Sequence, residues 1–135
     1  LTRSGTIITI ILIVIVGIGL LGYRLSVYQP APVVINENAT FSGNLEVEGD
    51  TRYHSMRIYD NVTGIHFTLN CGWNDFDLYG RYDNLPSRSY YDFSGINSGG
   101  ENFNFDEPKD GILHLMVYSY TGTGHYDIII EFYYD

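Results

Sequence analysis

HYDIIIEFY, residues 125–133, alternates along its length: Tyr126, Ile128, Ile130 and Phe132 fall on one side, Asp127, Ile129, Glu131 and Tyr133 on the other. A period of two is that of a β-strand with one buried face. Upstream, Ile65, Phe67 and Leu69 alternate with His66 and Thr68, and Phe76, Leu78 and Tyr82 share one side of Asp75–Tyr82. Further short runs lie at Phe41–Val47, Tyr53–Tyr59, Tyr90–Phe93, Glu101–Phe105 and Gly111–Tyr118, divided by Gly, Asn, Asp and Pro. Gly95–Gly100 and Gly122–Gly124 read as hairpin tips. No helical period is sustained after residue 38. So many short strands in so little chain predict an all-β antiparallel sandwich, jelly-roll-like, over residues 38–135.

The other end of the chain obeys a different rule. Ser4–Tyr23 is a run of twenty residues without a formal charge, between Arg3 and Arg24. As a helix it would be roughly 30 Å long, enough to cross a bilayer. Ile7, Ile8, Ile10, Ile11, Leu12, Ile13, Val14, Ile15, Val16, Ile18, Leu20 and Leu21 would cover every side of it, so it would need burial on every side. Each large aliphatic side chain left in water forfeits about 1.5–3 kcal/mol. The expectation is a long N-terminal apolar α-helix over residues 1–29, sheltered in lipid or among copies of itself. Gly17, Gly19 and Gly22 would let neighbouring backbones approach. Pro30 and Pro32 end the helix, leaving residues 30–37 as a stiff connector.

Charge divides between the same two parts. Residues 1–30 hold two arginines and no acid, whereas residues 31–135 carry all sixteen acids against five basic residues, a net charge of −11. So acidic a head argues against nucleic acid as a partner. One cysteine, Cys71, excludes an intrachain disulfide and suits a small core position. Asn38-Ala39-Thr40 and Asn61-Val62-Thr63 are N-glycosylation sequons, which fits a head outside the membrane.

The region after Leu21 offers no small-x-small site for a secretory peptidase. Leu1–Leu25 resembles mature archaeal pilins and archaellins of the type IV pilin-like superfamily, in which a peptidase removes a short basic leader and the freed helices pack into a filament core. Gly5 stands where most bacterial pilins have Glu, which points to the archaeal members. The resemblance implies a membrane-inserted precursor, a polymer built from copies of the chain, and Ile7 through Leu21 as its core.

A second resemblance lies in the head. Asn74-Asp75-Phe76-Asp77-Leu78-Tyr79 resembles the D-x-D-L-Y signature of bacterial and archaeal pre-peptidase C-terminal domains. Tyr91-Asp92, Ser98-Gly99-Gly100-Glu101, Pro108, Gly111-Ile112-Leu113, Tyr118-Ser119-Tyr120-Thr121-Gly122 and Tyr126-Asp127-Ile128 follow in that family's order. The resemblance spans Ile58 to Phe132. It implies a β-sandwich without catalytic residues.

The residues themselves offer little chemistry. His54, His66, His114 and His125 are scattered over different runs and form no HExxH or other zinc spacing. Asp75 and Asp77 are the one candidate pair for a metal, Ca²⁺, although the ligand loop typical of that ion is missing. Their other reading is turn capping. No G-x-S-x-G surrounds a serine, and no cofactor is implied. Tyr79, Tyr90, Tyr91, Tyr118, Tyr120, Tyr133 and Tyr134 are too many to be core, and suit subunit contacts or a surface for glycans. Together these features predict a structural subunit of an extracellular, cell-surface archaeal filament. The alternative is a single-pass anchored protein displaying a glycan- or protein-binding sandwich.

Overall fold

The computed structural model describes residues 33–34 and 38–134. The chain divides after Ala31 into two units, and every described residue belongs to the second. Its strands are β1 (Val33–Val34), β2 (Ala39–Leu45), β3 (Thr51–Ile58), β4 (Val62–Asn70), β5 (Asp75–Tyr82), β6 (Phe93–Gly95), β7 (Glu101–Phe105), β8 (Gly111–Thr121) and β9 (Gly124–Tyr134). They form two sheets, in the orders β1-β3-β8-β5-β6 and β2-β9-β4-β7. All pairings are antiparallel except that of β1 with β3. With β1 set aside, the two four-stranded sheets follow the strand order of a jelly roll.

The fold class expected from the whole sequence, a long helix followed by a sandwich, is corrected by this architecture. The described residues form an all-β sandwich of two sheets, with no helix among them and none long and apolar enough to cross a membrane. The expected helix over residues 1–29 lies outside the described residues, as does most of the 30–37 connector. Where that connector is described, Val33–Val34 is a strand lying parallel to Met56 and Arg57 of β3.

Alternation explains the packing between the sheets. Leu45, Met56, Ile58, Ile65, Phe67, Leu69, Phe76, Leu78, Leu113, Leu115, Val117, Tyr126, Ile128 and Ile130 are each at most 1% exposed. Each contributes about 1.5–3 kcal/mol by leaving water. Packing is tightest where Phe93 lies against Gly80. A Cβ at Gly80 would overlap the Phe93 ring, so this strand position accepts only glycine without a shift of its neighbour. A polar pair sits at the edge of the core: the half-buried His54 Nε2 and the buried Tyr126 hydroxyl are 2.7 Å apart. Burial lowers the His54 pKa and pushes Tyr126 up to about 12, keeping both neutral.

Two local expectations change. The segments after Gly95 and Gly122 are not hairpin tips, because β6 and β8 lie in one sheet while β7 and β9 lie in the other. Both segments arch across the sandwich. The expected strand at Tyr90–Phe93 is confined to Phe93–Gly95. Pro86, the positive φ of 65° at Asp83, and the Ser87 hydroxyl accepting from the Tyr90 amide hold the preceding residues in turns instead.

Candidate functional site

From β2 onward, every connection crosses between sheets except that from β5 to β6. That connection, residues 83–92, folds back over the outer face of its own sheet. Its far end is fixed to β5: the Asp92 amide donates to the Gly80 carbonyl at 2.8 Å, and the Asp92 carboxylate accepts from the Tyr82 amide at 2.8 Å. Just before this anchored end, Tyr91 meets Tyr79 edge-on at 5.3 Å between ring centroids. The Arg88 guanidinium stands 4.3 Å from the centre of the Tyr118 ring and donates to the Tyr118 hydroxyl at 3.2 Å.

The result is a partly covered outer face. Asp77 and Tyr79 on β5, and Met116 on β8, alternate with core residues and should point to solvent, yet they are only 5%, 5% and 2% exposed. At the edge of the cover, Asp75, Asp77, Tyr79, Arg88, Ile96, Ser98 and Tyr120 line a cleft of about 480 Å³. Tyr120 and Ile96 are its exposed apolar members.

Its electrostatics follow from burial. Burial raises the Asp77 pKa, the neighbouring Asp75 charge adds to that, and Arg88 opposes it. The Tyr79 hydroxyl donates to Asp77 at 3.5 Å, a long contact. Asp75 accepts from the Gly99 amide at 3.0 Å, and the Phe76 amide donates to the Gly99 carbonyl at 3.2 Å. These bonds hold the arch over residues 96–100 against β5. Beside them is Glu101, 2% exposed. Its Oε2 accepts from Asn97 at 3.4 Å, while Oε1 has no hydrogen-bond partner. Burial, with smaller contributions from Asp77 and Asp75, pushes Glu101 up to about 7.

Asp75 and Asp77, the candidate metal pair, are hydrogen-bonded within the fold: Asp75 accepts from the arch and Asp77 from Tyr79. Among the described residues no group of three His, Cys, Asp or Glu is placed to hold a metal ion. The histidines do not converge. His54 is half-buried beside Tyr126, His66 bonds Asn104 at 2.6 Å, and His125 lies 3.0 Å from Asp127. His114 Nδ1 is 2.6 Å from the Ser55 hydroxyl, a pairing across adjacent strands that sequence spacing did not reveal. Cys71 is buried, its thiol donating to the Asn74 carbonyl at 3.2 Å, and burial raises its pKa. That environment disfavours the reactive thiolate. Arg88 was not legible as a site residue, since nothing in the 83–92 sequence says which face it returns to.

No protein-family profile matches the chain, and no curated protein does. Solved structures do. The pre-peptidase C-terminal domain of a collagenase from Bacillus anthracis is 20% identical, with a TM-score of 0.55, covering 76% of this chain and 99% of that one. PliG of Aeromonas hydrophila, a periplasmic inhibitor of g-type lysozyme, is 12% identical, with a TM-score of 0.54, covering 76% of this chain and 96% of its own. The head is a pre-peptidase C-terminal-like β-sandwich. In this PPC-like head the D-x-D-L-Y residues Asp75, Asp77 and Tyr79 line the partly covered cleft, and Ser98–Gly100 belongs to the arch beside it, with Glu101 opening β7.

Proposed function

We propose that the chain is a structural subunit of an extracellular, type IV pilus-like archaeal filament. It is membrane-inserted before assembly, polymerises through its apolar N-terminal segment, residues 1–29, and carries the PPC-like head on the outside for adhesion or cell contact. The supporting observation is the union of two unlike parts. Ser4–Tyr23 carries no formal charge and is dominated by Ile, Leu and Val, and it precedes a closed, acidic two-sheet sandwich. Copies packed head-to-tail form an open helical polymer, and a net charge of −11 on residues 31–135 keeps the heads apart and soluble. Negative-stain microscopy of material sheared from cells is expected to show filaments made of this one chain. Its recovery only as single copies in the membrane fraction overturns the reading.

A second reading draws on the cleft beside Arg88. Exposed Tyr120 and Ile96 next to buried carboxylates suit a ligand with both apolar and hydrogen-bonding surface. A membrane-anchored protein displaying that cleft to a glycan or a protein would have the same head and would not form filaments.

A further inference from the structure

Two sequons are present in the head, and the structure treats them differently. Asn38 precedes β2 with its side-chain oxygen accepting from the Phe132 amide at 3.3 Å. Thr40 of the same sequon is held in the ladder opposite Ile129. Asn61 lies in the turn between β3 and β4, where the Val62 amide donates to the Tyr59 carbonyl at 3.2 Å. That bond places Asp60 and Asn61 at the tip of the turn. Both Asn61 and Thr63 are exposed, while Val62 between them is 7% exposed and anchors the turn.

Beside this turn is a cleft of about 570 Å³ lined by Tyr59, Asp60, Asn61 and Tyr134. Tyr134 reaches it because β9 pairs with β4 so that Tyr134 lies opposite Val62. Tyr59 is two residues before the acceptor asparagine, and its ring has the Arg57 guanidinium 5.4 Å from its centre, which helps fix it. A pyranose ring has a face of C–H bonds that packs on an aromatic ring, while its hydroxyls stay in reach of water and of a carboxylate such as Asp60. The cleft therefore has the lining a first sugar needs, and Asn61, the residue to which that sugar would be joined, is part of that lining.

We propose that Asn61 carries an N-linked glycan whose first sugar occupies this cleft against Tyr59 and Tyr134. In the transfer, Asn61 Nδ2 bonds to the anomeric carbon of a lipid-phosphate-linked oligosaccharide. The bond from that carbon to the phosphate oxygen breaks, the lipid phosphate leaves with the electron pair, and the amide nitrogen loses one proton to solvent. The inference rests on the extracellular location proposed above, because the lipid-linked donor is used outside the cytoplasm.

The test uses the full chain from its native cells, with peptide mass spectrometry on the sheared and the membrane fractions. A glycan mass is expected on the peptide containing Asn61. Thr63→Ala, which removes the sequon but keeps Asn61, should abolish it and lower the melting temperature of the head by a few degrees. In a Tyr59→Ala background the glycan should remain, and its removal by Thr63→Ala should no longer change the melting temperature. An unmodified Asn61 in filaments overturns the glycan alone, and a modified Asn61 on single membrane-bound copies overturns the filament alone. An equal melting shift in both backgrounds overturns the seat in the cleft.

Discussion

The two sheets share one core but present different outer faces. On β2-β9-β4-β7 the outward positions include Thr40, Ser42, His66, Thr68, Asn102, Asn104 and Asp127, with Ile129 and Tyr133 among them, and all of these are at least partly exposed. The Ser42 hydroxyl donates to Asp127, and this bond, with a smaller contribution from His125, lowers the Asp127 pKa. On β1-β3-β8-β5-β6 the outward positions include Asp77, Tyr79 and Met116, which are buried, and the 83–92 connection lays Tyr91 on Tyr79 and Arg88 on Tyr118. Strand alternation assigns a residue to a face. It does not say whether that face meets water, because a third layer of chain can cover it.

If the covered face is a true layer, substitutions there should behave as core changes. Tyr79→Ala is expected to cost about 3–5 kcal/mol in urea unfolding, whereas Thr68→Ala on the open face should stay within about 0.5 kcal/mol. Equal effects would remove the distinction between the faces.

Glu101, beside the covered face, sharpens it through pH. Burial raises its pKa from 4.5 to about 7, so the native state favours the protonated carboxyl. The stability this contributes is fully present below about pH 4.5 and is lost as the pH rises through about 7. Glu101→Gln keeps the shape and cannot ionise. Relative to the parent it should gain roughly 3 kcal/mol by pH 8 and nothing at pH 4, with the gain growing between those limits. A difference independent of pH would contradict the burial of an ionisable carboxyl there.

The smallest expected effect is at the cover itself. Arg88→Ala removes the cation from the Tyr118 ring, a contact at the protein surface, and should leave the urea unfolding midpoint nearly unchanged. Limited proteolysis should then cut within residues 83–92 faster than in the parent, with the open-face variant Thr68→Ala unchanged. An unaltered cutting rate would show that Asp92 and Tyr91 hold the connection without Arg88.

Much of the sandwich was legible because its signal is local. Asp75–Tyr82 and Glu101–Phe105 have the expected bounds as β5 and β7, since alternation and flanking turn residues occur within the segment itself. The D-x-D-L-Y stretch gave the PPC-like fold for the same reason. What stayed hidden is non-local. Val33–Val34 is too short to show a period, and its place beside Met56 is fixed by β3. Gly122 has a positive φ of 91°, as it would in a hairpin, so turn chemistry cannot distinguish a tip from an arch between sheets. Arg88 on Tyr118, Ser55 beside His114 and Tyr134 opposite Val62 all depend on pairings between distant parts of the chain. The candidate cleft was legible on one side only: Asp75, Asp77 and Tyr79 stood out in sequence, while Arg88 and Ile96 did not.

The proposed division of labour between an apolar assembling segment and an acidic head is tested most directly by Ile11→Asp in the full chain. Cells bearing it would be sheared and imaged by negative stain, with the head's fold followed by circular dichroism. The account predicts that filaments disappear while the β signal and its melting transition remain. Filaments of normal abundance carrying the aspartate would contradict it.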